Sequence, residues 1–391
     1  MSKILNPLLY FFVVFSGSSS SIVKKITFST LSLGKRFCHP LFHNLIMFLA
    51  ESTGIITFFL LFKDEEKKIL SLSENKNKTS LEFYKLCIPA IFDLISSIFN
   101  TLCIDFLPGS LSRMFEGFSI LITFGLSITF MKNKHTINNY IGIIIIIIGL
   151  FLLGLSEYIY QNDSSNSIKF LFFGIICSIL SNFLGALHEI SQEYFIRKQV
   201  CHPIRCIGFE GFFGFILTFI ITIFAINIKC TNKKIRDNSN SNSILDILSS
   251  NVCIVDEEGN SYIENISFVW RQIKNNTNIF LYYIGIFFIC ILLNYSYVSF
   301  IKIAGASARI VLANITSLCV WIFFLLPIHK NKKYQEKFKI IQLIGFFVLV
   351  FGVLFYNDLI LKNNKQDITY NKIEVNLNYI DDEKQNRIIE K

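Results

Sequence analysis

Long apolar runs separated by short polar connections dominate this chain. Counted along the sequence there are about ten, near 5–25, 41–62, 86–106, 110–131, 138–160, 168–194, 205–229, 279–301, 307–328 and 338–360. A bilayer core ~30 Å thick is crossed by roughly 20 residues of α-helix, which is the length of these runs. The stretch "GIIIIIIGLFLLGL", from Gly142, is rich in β-branched residues that favour strands in water. It is uniformly apolar, without the alternation of a barrel strand. Hydrocarbon leaves the backbone only helices or closed barrels, so each run is predicted to be a transmembrane helix. The first is the weakest, because "SGSSSSIVKK" interrupts it. It lacks the basic start and small-residue cleavage pattern of a signal peptide and is read as a span.

The second half of the chain echoes the first, in order. His39–Pro40 precedes the second run, which holds Glu51, and His202–Pro203 precedes the seventh, which holds Glu210. Asn100 lies in the third run and Asn294 in the eighth. "GSLSRMFEGF", from Gly109, opens the fourth run with Arg113, and "GASARIVLAN", from Gly305, opens the ninth with Arg309. Gly142 and Gly149 in the fifth run match Gly345 and Gly352 in the tenth. Five is odd, so the second copy is threaded upside down, the inverted repeat typical of secondary transporters. The predicted fold is therefore an all-α integral membrane protein of about ten helices in a 5+5 inverted repeat. Residues 1–160 and 161–360 form the repeats, with 230–278 as a long lumenal connection and 361–391 as a disordered cytoplasmic tail.

Composition agrees with lipid as the solvent. Of 391 residues 52% are hydrophobic and 17% charged, where soluble domains carry about a quarter charged. The net charge of +9 raises the question of nucleic acid, but the basic residues sit at the edges of apolar runs, so no nucleic-acid partner is expected. Their distribution favours cytoplasmic ends, although "HKNKKYQEK" dissents. Ten cysteines include no CxxC pair. Cys230 and Cys253 share the long connection and can pair if it is lumenal. Asn162, Asn265 and Asn275 begin glycosylation sequons, usable under the same condition. Within the connection, "IENISFVWRQI" has the spacing of a helix lying along the membrane surface.

Candidate chemistry lies in the polar residues that interrupt the runs. Arg113 and Arg309 stand at predicted helix N-termini, where the dipole is already positive, so each makes an anion-attracting spot. The plainer reading is that both snorkel to the headgroups. A carboxylate at the bilayer centre costs about 2.5–3.5 kcal/mol on insertion scales, so it usually faces a cavity or a partner. Glu51, Asp93, Glu116 and Glu210 are such residues, and Asn100 and Asn294 extend the set. Glu116 follows Arg113 by one turn, so a local ion pair also accounts for it. Glu189 and Glu193 in "HEISQEYF" read as a solvated helix end. His188 and His202 read as interfacial, with proton carriage as the sharper alternative. The paired glycines are expected to permit close helix packing. No GxxxxGK[ST], HExxH or Ser/His/Asp spacing occurs, so neither ATP hydrolysis nor enzymatic catalysis is expected, nor any metal or cofactor.

These residues bring a resemblance into view. "HPIRCIGFEGFFGF", preceded by "EYFIRK", resembles the most distinctive stretch of solute carrier family 35, subfamily F, of the member-six type. "HPLFHNLIMFLAES", "IPAIFDLISS", "ASARIVLANITSLCVW" and "IIQLIGFFVLVFGVLFYND" resemble it in the same order. That family is nucleotide-sugar-transporter-like and lies in the drug/metabolite transporter (EamA-like) superfamily. The resemblance implies ten helices, cytoplasmic termini, alternating access, and a lysosomal, Golgi or mitochondrial membrane. Arg309, Asp93 and Glu210 match the family's Arg, Asp and Glu. The chain departs from it at "RMFEG", where relatives resemble "QMLRG", and at Ala313 and Thr316, where they carry Asp and Arg. The expected function is a secondary carrier of a small anionic organic metabolite, nucleotide-like or other. Its expected partners are the lipid bilayer, that solute, and a coupling ion or counter-substrate, with a homodimer left open. The alternative is a non-transporting membrane receptor or scaffold that presents its loops or tail to a protein.

Overall fold

The structure is a computed structural model that describes residues 2–64, 84–107, 112, 115–129, 137–160, 165–198, 202–228, 254–255, 261–304, 306–326 and 338–356. In chain order the helices are α1 (Ser2–Ser29), α2 (Pro40–Thr57), α3 (Cys87–Phe106), α4 (Phe118–Thr129), α5 (Ile137–Tyr160) and α6 (Ser165–Glu193). They continue as α7 (Pro203–Asn227), α8 (Ile266–Asn275), α9 (Thr277–Ala304), α10 (Ala306–Leu325) and α11 (Ile340–Tyr356). Helices α2 and α6 run on as π-helical turns, Phe58–Phe62 and Tyr194–Lys198. A 3₁₀ turn, Phe115–Gly117, leads into α4. Among the described residues six helical stretches are long and apolar enough to cross a membrane, and three shorter apolar ones accompany them.

Where these helices begin follows from the residues at their starts. Pro40 and Pro203 occupy the first helical turns of α2 and α7, with His39 and His202 as N-caps. Proline there gives up an N–H that no helix would use. Between α1 and α2 a hairpin pairs β1 (Leu31–Ser32) with β2 (Lys35–Arg36), Leu31 opposite Arg36. Its turn residues Leu33 and Gly34 both have positive φ, the tight reversal that matches strand twist. A second small hairpin joins β3 (Ile254–Val255) to β4 (Ser261–Tyr262).

The serines of "SGSSSS" do not break α1. Ser16, Ser18 and Ser21 turn their hydroxyls back onto the carbonyls of Phe12, Val14 and Gly17, so no polar hydrogen is stranded. Ser18 also reaches the Thr316 carbonyl at 3.4 Å, and a side chain at Gly17 would meet Tyr297 Oη at 2.9 Å. The interruption is a small-residue seam on which α9 and α10 pack.

Packing is ordered. Helix α5 lies along α11, α2 along α7, and α4 touches α10. Helix α1 packs on α9 and α10 as α6 packs on α3 and α4, while α2 meets α9 as α7 meets α3. Exchanging α1–α5 with α6, α7, α9, α10 and α11 in order leaves this set of pairs unchanged. The α5–α11 crossing has backbone against backbone: a Cβ on Gly149 would lie 2.7 Å from Leu349 N, and one on Gly352 2.8 Å from Ile146 N. Ile146, Leu150, Leu153, Phe346, Leu349 and Val353 fill it. On the outward faces stand exposed apolar side chains, among them Phe151, Ile144, Phe224, Phe288 and Phe347. Lipid suits that surface, because exposed apolar area of this extent is not found on a water-soluble monomer.

Candidate functional site

Helix α6 carries a polar stripe along one side of an otherwise apolar span. Ser178, Ser181, Asn182, Gly185, His188, Glu189 and Gln192 recur at helical spacing. The stripe faces α3, which has its own stripe of Asp93, Ser96 and Asn100. Ser96 and Ser181 exchange hydroxyl-to-carbonyl bonds at 2.9 and 3.0 Å, so the two helices are zipped. Nearer α4, Ser119 donates to Asn182 Oδ1 at 2.7 Å, and the Asn182 amide donates to the Ser178 and Phe115 carbonyls.

Between these helices and α2, α7, α9 and α10 lies a cavity of about 220 Å³. Its wall carries four carboxylates, Glu51, Asp93, Glu116 and Glu189, together with His188, Asn100, Asn294, Gln192 and Tyr297. Polar groups at this depth need hydrogen-bonding partners. Asn294 Nδ2 donates to Glu51 Oε1 at 2.8 Å, linking α9 to α2. From α1, Lys24 Nζ reaches Asn100 Oδ1 at 3.5 Å. Tyr295 Oη lies 3.2 and 2.8 Å from the hydroxyls of Thr53 and Thr57, a second α9–α2 link.

Glu210 sits on α7 immediately behind this wall and is wholly buried. Its two oxygens are held by different residues of α6: His188 Nε2 lies 2.5 Å from Oε1, and Gln192 Nε2 donates to Oε2 at 2.7 Å. Asp93 completes the cluster, with one ligand-capable atom from each of Asp93, His188 and Glu210 within 4.8 Å of the others. No spacing in the sequence announces this group, because it draws on α3, α6 and α7.

Of the residues singled out in the sequence, Glu51, Asp93, Asn100, Glu116 and Asn294 all line this cavity. Glu210 lies behind it, against the wall residues His188, Gln192 and Asp93. Arg113 lies outside the described residues; Arg309 stands on α10 one turn before the cavity residue Ala313. Cys230, Cys253 and Asn162 also lie outside them. One expectation is corrected. Glu189 and Glu193 are not a solvated helix end, because α6 continues five residues further as a π-helical turn; Glu189 lines the cavity and Glu193 is buried. His188 and His202, read as interfacial, are both buried within the protein, His202 at the head of α7 and stacked on Phe62 with ring centroids 4.9 Å apart. The polar stripe "SNFLGALHEISQ" on α6 is the sequence signal for Asn182 and Gln192, and Ser96 shares the stripe of Asp93 and Asn100 on α3, whereas Ser119 on α4 has no such signal.

Around the other histidine–proline start, His39 and Glu264 are wholly buried, Nδ1 2.5 Å from Oε1, and His39 Nε2 lies 2.9 Å from Gln272 Oε1. Gln272 belongs to α8, the amphipathic helix expected from "IENISFVWRQI". Asn265 caps it by accepting from Phe268 N at 3.0 Å, and Phe268, Val269, Gln272 and Ile273 form its buried face. Gln272 exchanges hydrogen bonds with Ser32, so α8 is fastened to the first hairpin.

Comparison with known proteins bears on what such a cavity does. The family model described as solute carrier family 35 matches residues 18–245. Solute carrier family 35 member F6 of Mus musculus is 24% identical over 83% of this chain and 79% of its own length. The Homo sapiens protein of the same name is 23% identical with the same coverage. A crystal structure of another protein superposes with a TM-score of 0.50 and 10% identity, covering 90% of this chain and 96% of its own. That last likeness concerns the fold alone.

Proposed function

Because this chain belongs to solute carrier family 35, a family of membrane carriers, we propose that it is a secondary-active carrier working by alternating access. Membership makes it a multi-pass membrane protein and points to a transporter rather than an enzyme. The observation that carries the mechanism is the cavity itself: its polar groups come from α2, α3, α4 and the turn before it on one side and from α6 and α9 on the other, with Ile207 of α7 and Ala313 of α10 completing the wall. A site shared by two halves is what rocking of one half against the other would expose to each face in turn. The symmetric packing pairs support the reading of residues 1–160 and 161–360 as inverted five-helix repeats.

The solute is a small organic metabolite that carries an anionic group together with amine or hydroxyl donors. The anionic part follows from Arg309, on the helix that brings Ala313 to the cavity; the donors answer the four carboxylates of the wall. A nucleotide-type compound has both. The membrane is an endomembrane, lysosomal or Golgi, with the mitochondrial membrane as the alternative. The test is uptake of a pooled metabolite mixture into proteoliposomes, read by mass spectrometry. Enrichment of a phosphorylated or carboxylated compound, lost in Arg309→Ala and in Asp93→Asn, is the expected result. Normal flux in both variants would overturn the site. No enrichment of any compound, with folded protein and both gradient polarities, would turn attention to a receptor or scaffold.

A further inference from the structure

A gradient-driven carrier needs a place to bind its driving ion, and the cavity wall carries a group suited to one. We propose that Asp93, His188 and Glu210 form the binding site of the coupling ion, and that this ion is a proton. The inference rests on the carrier reading above and adds to it the identity and location of the coupled species.

Geometry separates a proton from a metal ion. Both oxygens of Glu210 are already engaged, one against His188 Nε2 and the other by the Gln192 amide. A divalent cation would have to displace these contacts and find further ligands, because such ions take four or more. A proton needs no new space. It is accommodated by the existing hydrogen bond between an imidazole and a carboxylate, the pairing that histidine uses elsewhere to shuttle protons.

Two carboxylates and one imidazole with atoms within 4.8 Å of one another carry one negative charge when the imidazole is protonated. One more proton makes them neutral. In a low-dielectric span that difference is large, so the occupancy of the site controls how strongly its helices attract one another. Asp93 comes from α3, in the first half of the chain, whereas His188 and Glu210 come from α6 and α7 in the second. Loading and unloading the site therefore acts across the seam that alternating access must open. Asp93 and His188 line the cavity and exchange protons with it, while Glu210 is shielded behind them.

The neighbouring charges are part of the site's surroundings. Glu189 and Glu193 share α6, Glu51 faces from α2, and Glu116 from the 3₁₀ turn before α4. Lys24 approaches from α1 through Asn100, and Tyr297 from α9. Arg205, on α7, is directed away onto the rings of Phe58 and Phe209.

Charge displacement on a solid-supported membrane tests this without knowledge of the solute. Proteoliposomes holding the full chain are subjected to a pH step, and the transient current is integrated. The wild type is expected to displace charge, and Glu210→Gln, His188→Gln and Asp93→Asn about tenfold less. Asp64→Asn, an exposed residue outside the cavity, serves as the control that stays at the wild-type value. His188→Gln retains an N–H for Glu210, and Asp93→Asn alters a half-buried wall residue; a monodisperse elution profile verifies that each variant folds. No displaced charge in the wild type, or undiminished charge in the folded variants, overturns the proposal. So does a current that ignores pH and appears only when Mn²⁺ is added. Metabolite uptake is measured in the same vesicles. Uptake without proton-driven charge overturns the proton site alone, whereas proton-driven charge without uptake supports the site and overturns the carrier.

Discussion

Two helix crossings in this protein are made by the same means and differ in what they hold. At α5–α11, Gly142, Gly149, Gly345 and Gly352 bring the backbones together, and the gaps are filled by Ile, Leu, Val and Phe. At α2–α7 the glycines are Gly54, Gly208, Gly211 and Gly214, with a Cβ on Gly54 only 2.9 Å from Gly208 Cα. Beside this second crossing stand Glu51 and Glu210, each bonded by a side chain from a third helix. Close approach in lipid thus needs small residues in either case. Buried carboxylates occur at the crossing that borders the cavity. One crossing is filled by apolar side chains, and the other carries buried carboxylates beside the cavity.

Substitutions can sharpen that contrast. The largest effect is expected from Gly149→Leu and Gly208→Leu, each of which sets a side chain into opposing backbone. Both should cost more than about 3 kcal/mol and abolish the monodisperse peak in fluorescence-detected size exclusion. A normal peak from either would mean that the crossing is not set by its glycines. Next comes Glu210→Leu, which leaves His188 and Gln192 facing hydrocarbon and should cost about 3 kcal/mol, measured as a lowered thermal midpoint. Glu210→Gln retains a polar partner and should lower it much less; equal shifts would contradict the described hydrogen bonds. The smallest effect is at the α3–α6 zipper, where Ser96→Ala and Ser181→Ala should each cost about 0.6 kcal/mol. Each hydroxyl bonds a backbone carbonyl that the other substitution leaves in place, so the losses should nearly add in the double variant. No loss of stability in either variant would show that the reciprocal bonds carry nothing.

The helices were legible because lipid imposes one rule along their whole length. The starts at Pro40 and Pro203, the matched glycines and the amphipathic α8 could be read from spacing alone. What escaped was what depends on partners distant in sequence. Glu189 and Glu193 resemble a wet helix end until the π-helical turn beyond them is known. His188 says nothing of Glu210, although the two are only 22 positions apart, because the chain turns back between them. The hairpin at Leu31–Arg36 rests on two-residue strands, too short to show any alternation. Serine in α1 suggested interruption because its cost is judged in water, whereas back-bonding to the preceding turn removes that cost in lipid.

The fastening of α8 has a consequence for energy balance between states. In a carrier built from two inverted copies, exchanging the roles of the copies converts one facing of the cavity into the other. Were the copies equivalent, the two facings would be equally populated at rest. His39, at the head of α2, is bolted to Glu264 and Gln272, while His202, at the matching head of α7, rests on Phe58 and Phe62. The head of α2 is held by buried polar bonds to α8 and to Glu264 just ahead of it, whereas among the described residues the head of α7 has no such helix laid across it and packs its histidine on two aromatic rings. In such a carrier that inequality would lift the degeneracy, and the connection that carries α8, which has no counterpart among the described residues of the first half, would select the resting orientation.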